Sequence, residues 1–112
     1  RVPLAGKVIS IYNNPGKFLA AFNHKASMDN EQTAIVFETE NGTKYKVKQI
    51  AGLIARRILN YMESEMVVEK GQRLGFIRFG SRVDIIVPPN FKINVSLGDI
   101  VEGNLSIIGE FE

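Results

Sequence analysis

A chain of 112 residues, 45% hydrophobic and 23% charged, has the size and composition of one ordinary globular domain, residues 1–112. Its formal net charge of +2 is too small to predict a nucleic-acid partner. With no cysteine, disulfides and thiolate chemistry are excluded, and the composition leans towards a reducing compartment. One histidine and no cysteine argue against a protein-only zinc site, so no metal is expected. No apolar run approaches the length of a membrane-spanning helix and no signal peptide is visible. The chain opens on Arg1-Val2-Pro3 without a starting Met, as a fragment or a processed form would.

Most segments read as short strands broken by glycine turns. Lys7-Val8-Ile9-Ser10-Ile11-Tyr12 is apolar and rich in β-branched residues, and Asn13-Asn14-Pro15-Gly16 follows as a turn signal. Residues 34–48 predict a hairpin. Ile35, Val36 and Phe37 lead into Asn41-Gly42, and Lys44-Tyr45-Lys46-Val47-Lys48 alternates with period two beyond it. Residues 48–62 are ambiguous: Ile50, Leu53, Ile54, Ile58 and Leu59 form a helical stripe, but Gly52 weakens a helix. Further on, Leu74, Phe76, Ile77 and Phe79 predict one strand, and Val83 with Ile85-Ile86-Val87 the next. Gly80-Ser81 lies between them, and Pro88-Pro89 stops the pairing.

Val67-Val68-Glu69-Lys70-Gly71-Gln72-Arg73-Leu74-Gly75 has a counterpart in Val95-Ser96-Leu97-Gly98-Asp99-Ile100-Val101-Glu102-Gly103. Both segments read as strand, Gly-polar turn, strand. Together these features predict a mainly β fold, a small sandwich of short antiparallel strands. Paired units of this kind occur in the biotinyl/lipoyl type of barrel-sandwich hybrid. The repeat speaks to architecture and not to chemistry.

Conventional catalytic sets are poorly supplied. His24 is the lone imidazole, and the spacing of Asp29, Glu31, Glu38 and Glu40 does not demand acid–base work. No phosphate-loop or dinucleotide fingerprint is present. The informative stretch is Gly71 to Asp84, centred on Gly80-Ser81. Gly-Ser is an ordinary tight turn on one reading. On the other, a serine hydroxyl attacks the carbonyl before it when that peptide is held in strain, and glycine leaves the carbonyl unshielded.

Five blocks, in order, carry a family resemblance. They are Arg1-Val2-Pro3-Leu4-Ala5-Gly6-Lys7-Val8; Pro15-Gly16-Lys17-Phe18-Leu19; Lys25-Ala26-Ser27 with Asn30-Glu31; Gln49-Ile50-Ala51-Gly52-Leu53-Ile54-Ala55-Arg56-Arg57-Ile58; and Gly75-Phe76-Ile77-Arg78-Phe79-Gly80-Ser81-Arg82. The chain resembles the C-terminal core of the short-form phosphatidylserine decarboxylases and their archaetidylserine-type relatives. The resemblance implies strands within residues 48–62. It also implies that a precursor cuts itself between Gly80 and Ser81, leaving residues 1–80 as the β subunit and 81–112 as the α subunit. Ser81 would become the pyruvoyl cofactor, whose ketone condenses with the substrate amine and accepts the electrons released with carbon dioxide.

The substrate implied is an aminophospholipid, phosphatidylserine, converted to phosphatidylethanolamine by a peripheral enzyme on the cytoplasmic side of the cell membrane. Arg82, Arg56 and Phe18 are the expected substrate contacts. Surface ion pairing for the arginines and core packing for Phe18 are the alternatives. Asn30 and Glu31 are expected to brace a loop. Two departures from the family pattern matter. The family's assisting Asp and His lie before the block matching Arg1, and His24 does not occupy that place. Gln32 stands where relatives often have Arg.

Two other readings remain at this point. A non-catalytic biotinyl/lipoyl-like carrier would need one Lys at an exposed tip beside small or Met residues, and Lys44 and Lys70 lack that setting. A degenerate lipid-binding module would have no need for Gly80-Ser81. Open strand edges in so small a β domain give a reason for homo-oligomers.

Overall fold

A computed structural model describes residues 1–15, 30–52, 58–78 and 80–111. Among the described residues there are nine strands and no helix: β1 (Gly6–Asn14), β2 (Gln32–Glu38), β3 (Lys44–Ile50), β4 (Ile58–Asn60), β5 (Val67–Val68), β6 (Gly75–Ile77), β7 (Arg82–Ile86), β8 (Phe91–Ile93) and β9 (Gly109–Phe111). A five-stranded sheet runs β5-β1-β2-β3-β7, and two-stranded sheets join β4 to β6 and β8 to β9. Every pairing is antiparallel. The mainly β expectation holds. Among the described residues no helix is long and apolar enough to cross a membrane.

The hairpin of β2 and β3 follows from its turn chemistry. Gly42 takes φ 84°, a left-handed conformation that glycine adopts without steric cost. Thr39 N–H donates to the Thr43 carbonyl at 2.9 Å and Gly42 N–H to the Thr39 carbonyl at 3.0 Å. The resulting register runs from Gln32↔Ile50 to Glu38↔Lys44. It puts Ile35, Phe37, Tyr45 and Val47 on one face, where all four are buried. Phe37 and Tyr45, directly opposite, stack with centroids 5.0 Å apart.

β1 shows what simple alternation misses. Its register on β2 shifts between Val8 and Ser10. The extra residue lets Val8 and Ile11, an odd number apart, share the core face. The strand also continues through Asn13 and Asn14, so it runs into the stretch predicted as a turn, whose Gly16 lies outside the described residues.

The core gathers Val2, Val8, Ile35, Phe37, Tyr45, Val47, Met62, Val68 and Leu74. Val2 reaches it because its N–H donates to the Gln72 carbonyl at 2.8 Å while its carbonyl accepts from Gly71 N–H at 2.8 Å. The Tyr45 hydroxyl donates to the Leu4 carbonyl at 2.7 Å and accepts from Leu4 N–H at 3.2 Å. One buried ring thus pins the N-terminal segment, and its burial pushes the hydroxyl pKa up to about 12.

The two halves of the near-repeat diverge. Val67–Val68 forms β5, and Val68 and Leu74 are buried. No strand forms over 95–103, where Leu97 and Ile100 are fully exposed at 105% and 98%. The first copy packs on the core, whereas among the described residues nothing covers Leu97 and Ile100 of the second. Only the turn glycines agree, Gly71 at φ 84° and Gly98 at φ 89°. The C-terminal pairing instead uses β8 and β9, with Phe91 and Phe111 edge to face at 5.1 Å.

Candidate functional site

The expected strands around Gly80-Ser81 form as β6 and β7, with Gly80 in a turn and Ser81 immediately before β7. They do not pair with each other. β6 pairs with β4, and β7 with β3 at the edge of the large sheet. The Gly80–Ser81 peptide therefore lies between strands of two sheets, and among the described residues no ladder partner holds it.

Gly80 has φ 87° and is exposed, with no atom within 4 Å of where a Cβ would stand. Space does not require a glycine here; the left-handed backbone does. Ser81 is half-buried at the root of β7. A hydroxyl thus adjoins an exposed peptide whose left-handed turn glycine adopts freely, so the φ of residue 80 supplies access to the carbonyl and not strain.

Arg82 opens β7 and grips Asp84 as a fork, Nε to Oδ1 at 2.8 Å and Nη2 to Oδ2 at 3.0 Å. Alternation along the strand puts both side chains on one face. The same face carries Lys48, opposite Asp84, and Lys46, opposite Ile86. These lysines line a shallow trough of about 460 Å³ with Tyr12, Asn14 and Gln32. Arg56 and Phe18, the other expected substrate contacts, lie outside the described residues, as do His24, Leu19, Arg57 and Phe79.

Asn30 is fully buried and its Nδ2 donates to the Ala51 carbonyl at 2.7 Å. Ala51 N–H in turn donates to the Glu31 carbonyl at 3.0 Å, so this pair braces the chain as expected. Among the described residues no three of His, Cys, Asp and Glu gather as a metal site.

One residue near the site was not singled out from sequence. Gln49, on β3, is 4% exposed, and among the described residues its Oε1 finds no hydrogen-bond partner. It stands opposite Val83 of β7. Its Nε2 lies 2.5 Å from where a Cβ on Gly75 of β6 would be. The signal was available: in Tyr45, Val47, Gln49 the period-two pattern carries an amide onto the apolar face.

Comparison with known proteins bears on the same residues. The family model for phosphatidylserine decarboxylase matches residues 1–109. The chain is 45% identical over 109 residues to a phosphatidylserine decarboxylase proenzyme of Geotalea uraniireducens (strain Rf4), covering 97% of this chain and 51% of that protein. Against the proenzyme of Syntrophus aciditrophicus (strain SB) the figures are 47% over 111 residues, 99% and 52%. Against that of Rickettsia bellii (strain OSU 85-389) they are 46% over 111 residues, 99% and 48%. The chain spans about half the length of the curated relatives it matches. No solved structure matches it. A family match over nearly every residue, with Gly80-Ser81 inside the matched span, establishes that the chain belongs to the phosphatidylserine decarboxylase family.

Proposed function

We propose that this chain is the core of a pyruvoyl-dependent enzyme that decarboxylates phosphatidylserine to phosphatidylethanolamine, after cutting its own backbone between Gly80 and Ser81. The observation that carries the reading is the left-handed, exposed Gly80 followed by the half-buried Ser81, set between strands of different sheets. No pairing opposes movement of that peptide, and the hydroxyl sits one bond series from the carbonyl it would attack. The residues suit a cofactor made from the chain itself, since Ser81 supplies every carbon of a pyruvoyl group. That group supplies an electrophilic carbonyl and an electron sink for loss of a carboxylate.

On this reading Ser81 is the nucleophile and cofactor precursor, and Gly80 supplies the carbonyl. Arg82, fixed by Asp84 beside the lysine-lined trough, presents cationic chemistry suited to a lipid phosphate, and Arg56 and Phe18 remain proposed contacts. Residues 1–80 and 81–112 would be the two subunits of one domain. A phospholipid substrate supports a peripheral position on a membrane, proposed here as the cytoplasmic side of the cell membrane. The edge strand β7, with Val83, Ile85 and Ile86 exposed, supports pairing between copies. For the biotinyl/lipoyl likeness, support comes from the matching turns at Gly71 and Gly98.

Intact-mass spectrometry of the complete polypeptide tests the proposal. Two fragments split at 80/81 are expected, the C-terminal one lighter by one ammonia than a fragment beginning with serine. Ser81→Ala is expected to stay whole and inactive. A complete polypeptide that never splits, or an active Ser81→Ala variant, would sink the cofactor assignment.

A further inference from the structure

Gln49 is a buried amide whose carbonyl oxygen has no donor among the described residues. A buried acceptor without a donor is costly to the fold, so an apolar residue of similar shape would serve the fold as well or better. Its position suggests what it serves. β3 places Gln49 opposite Val83, and Ser81 lies two residues before Val83, one residue outside β7, where strand alternation continued past Arg82 sets it on the Gln49 side. Diagonal neighbours of this kind stand about 7 Å apart, within reach of a long side chain. On the other side the amide packs against Gly75, the first residue of β6, whose missing Cβ makes the room. The amide thus lies between the strand that leads into the Gly80–Ser81 turn and the strand that leads out of it.

Resting on the proposed self-cleavage, we infer that Gln49 is a positioning residue for that cut: when the Gly80–Ser81 peptide moves into its reactive geometry, Oε1, unpaired in the resting fold among the described residues, accepts a hydrogen bond from the Ser81 hydroxyl and turns the oxygen's lone pairs towards the Gly80 carbonyl carbon. In the step it assists, Ser81 Oγ bonds to the Gly80 carbonyl carbon and the Gly80 C–Ser81 N bond breaks. The hydroxyl proton ends on the released Ser81 nitrogen, leaving an ester and a free amine. The amide neither gains nor loses a proton, and no co-reactant is needed. Gln49 is thereby distinguished from a general base, which would have to titrate.

Two variants made in the complete polypeptide test this, with precursor half-time read by intact mass and folding read by thermal melting. Gln49→Met fills the same space without the acceptor. It is expected to melt at or above the wild-type temperature while cleavage slows by at least roughly tenfold. Gln49→Glu restores an acceptor that binds the hydroxyl best when ionised. Its cleavage is expected to exceed that of Gln49→Met and to rise with pH in a step that wild type lacks. Wild-type half-time in Gln49→Met would overturn the inference, as would slow cleavage accompanied by a matching loss of melting temperature. Should Gln49→Met fail to fold, Gln49→Glu decides: a flat pH profile identical to wild type overturns the role. Cleavage in wild type but unaffected by either substitution removes Gln49 alone. Absence of cleavage in wild type removes the self-cleavage reading and this inference with it.

Discussion

Substituting Gly80 separates two reasons for a glycine before Ser81, the proposed nucleophile. One is steric: a side chain would shield the carbonyl. The other is conformational: residue 80 must hold φ near the observed 87°. With nothing within 4 Å of the Cβ position, alanine meets no clash, so its cost is confined to the backbone. For an L-residue in left-handed space that is about 1–2 kcal/mol. Where the cleavage-competent peptide needs that conformation, its population falls by roughly 5–30-fold, and the cleavage rate with it. Asparagine tolerates left-handed space better than alanine although it is larger, and valine tolerates it least. The conformational account therefore orders cleavage as Gly, Asn, Ala, Val, whereas shielding by bulk orders it as Gly, Ala, Asn, Val. Time courses of precursor mass in the complete polypeptide give the order directly. Melting curves confirm that each variant is folded, with a loss of about 4–8 °C per kcal/mol for a domain near this size. Alanine cleaving faster than asparagine, or as fast as glycine, would refute the backbone argument.

Two further outcomes follow from the fold around the site. Tyr45→Phe removes a hydroxyl bonded to both polar groups of Leu4 and should cost about 1–2 kcal/mol, measured by urea unfolding. Burial raises this hydroxyl's pKa from 10.0 to about 12, so the folded chain holds the proton more tightly than the unfolded chain. That stability is complete below pH 10 and is lost as pH rises towards 12; the wild-type melting temperature should drop more steeply across this window than that of Tyr45→Phe, and equal slopes would contradict the assignment. Gly75→Ala would set a Cβ 2.2 Å from the Leu59 carbonyl oxygen, forcing β4 and β6 apart. A loss of about 1–3 kcal/mol is expected in denaturant titration, and an unchanged midpoint would show that the close approach is not real.

The hairpin of β2 and β3 was legible because every local feature agreed: Asn41-Gly42 at the turn, and alternating residues whose buried set fell on one face. The strands flanking Gly80-Ser81 were legible for the same reason. Their partners were not, since neighbouring strands usually pair, yet here β6 and β7 separate into different sheets. The second half of the near-repeat misled because strand formation depends on something to pack against, and among the described residues nothing covers Leu97 and Ile100. The bulge in β1 left no mark beyond an odd spacing of Val8 and Ile11. Ser81 and Gly80 stood out through family resemblance and the turn between two apolar runs. Gln49 did not, because whether an amide on a core face finds a partner depends on which strands close over it, and no local pattern encodes that.

The placement of β7 has a bearing on how the protein would age. A chain cut at 80/81 keeps its shorter piece through five ladder pairs with β3 and the packing of Val87 on the core. Heating such a molecule would release one polypeptide from the other, so its midpoint would shift with protein concentration. Recovery on cooling would require a bimolecular encounter, in competition with aggregation of the orphaned sheet edge, whereas the uncut precursor could refold alone. Maturation would then act as a ratchet, trading a reversible fold for one assembled only once.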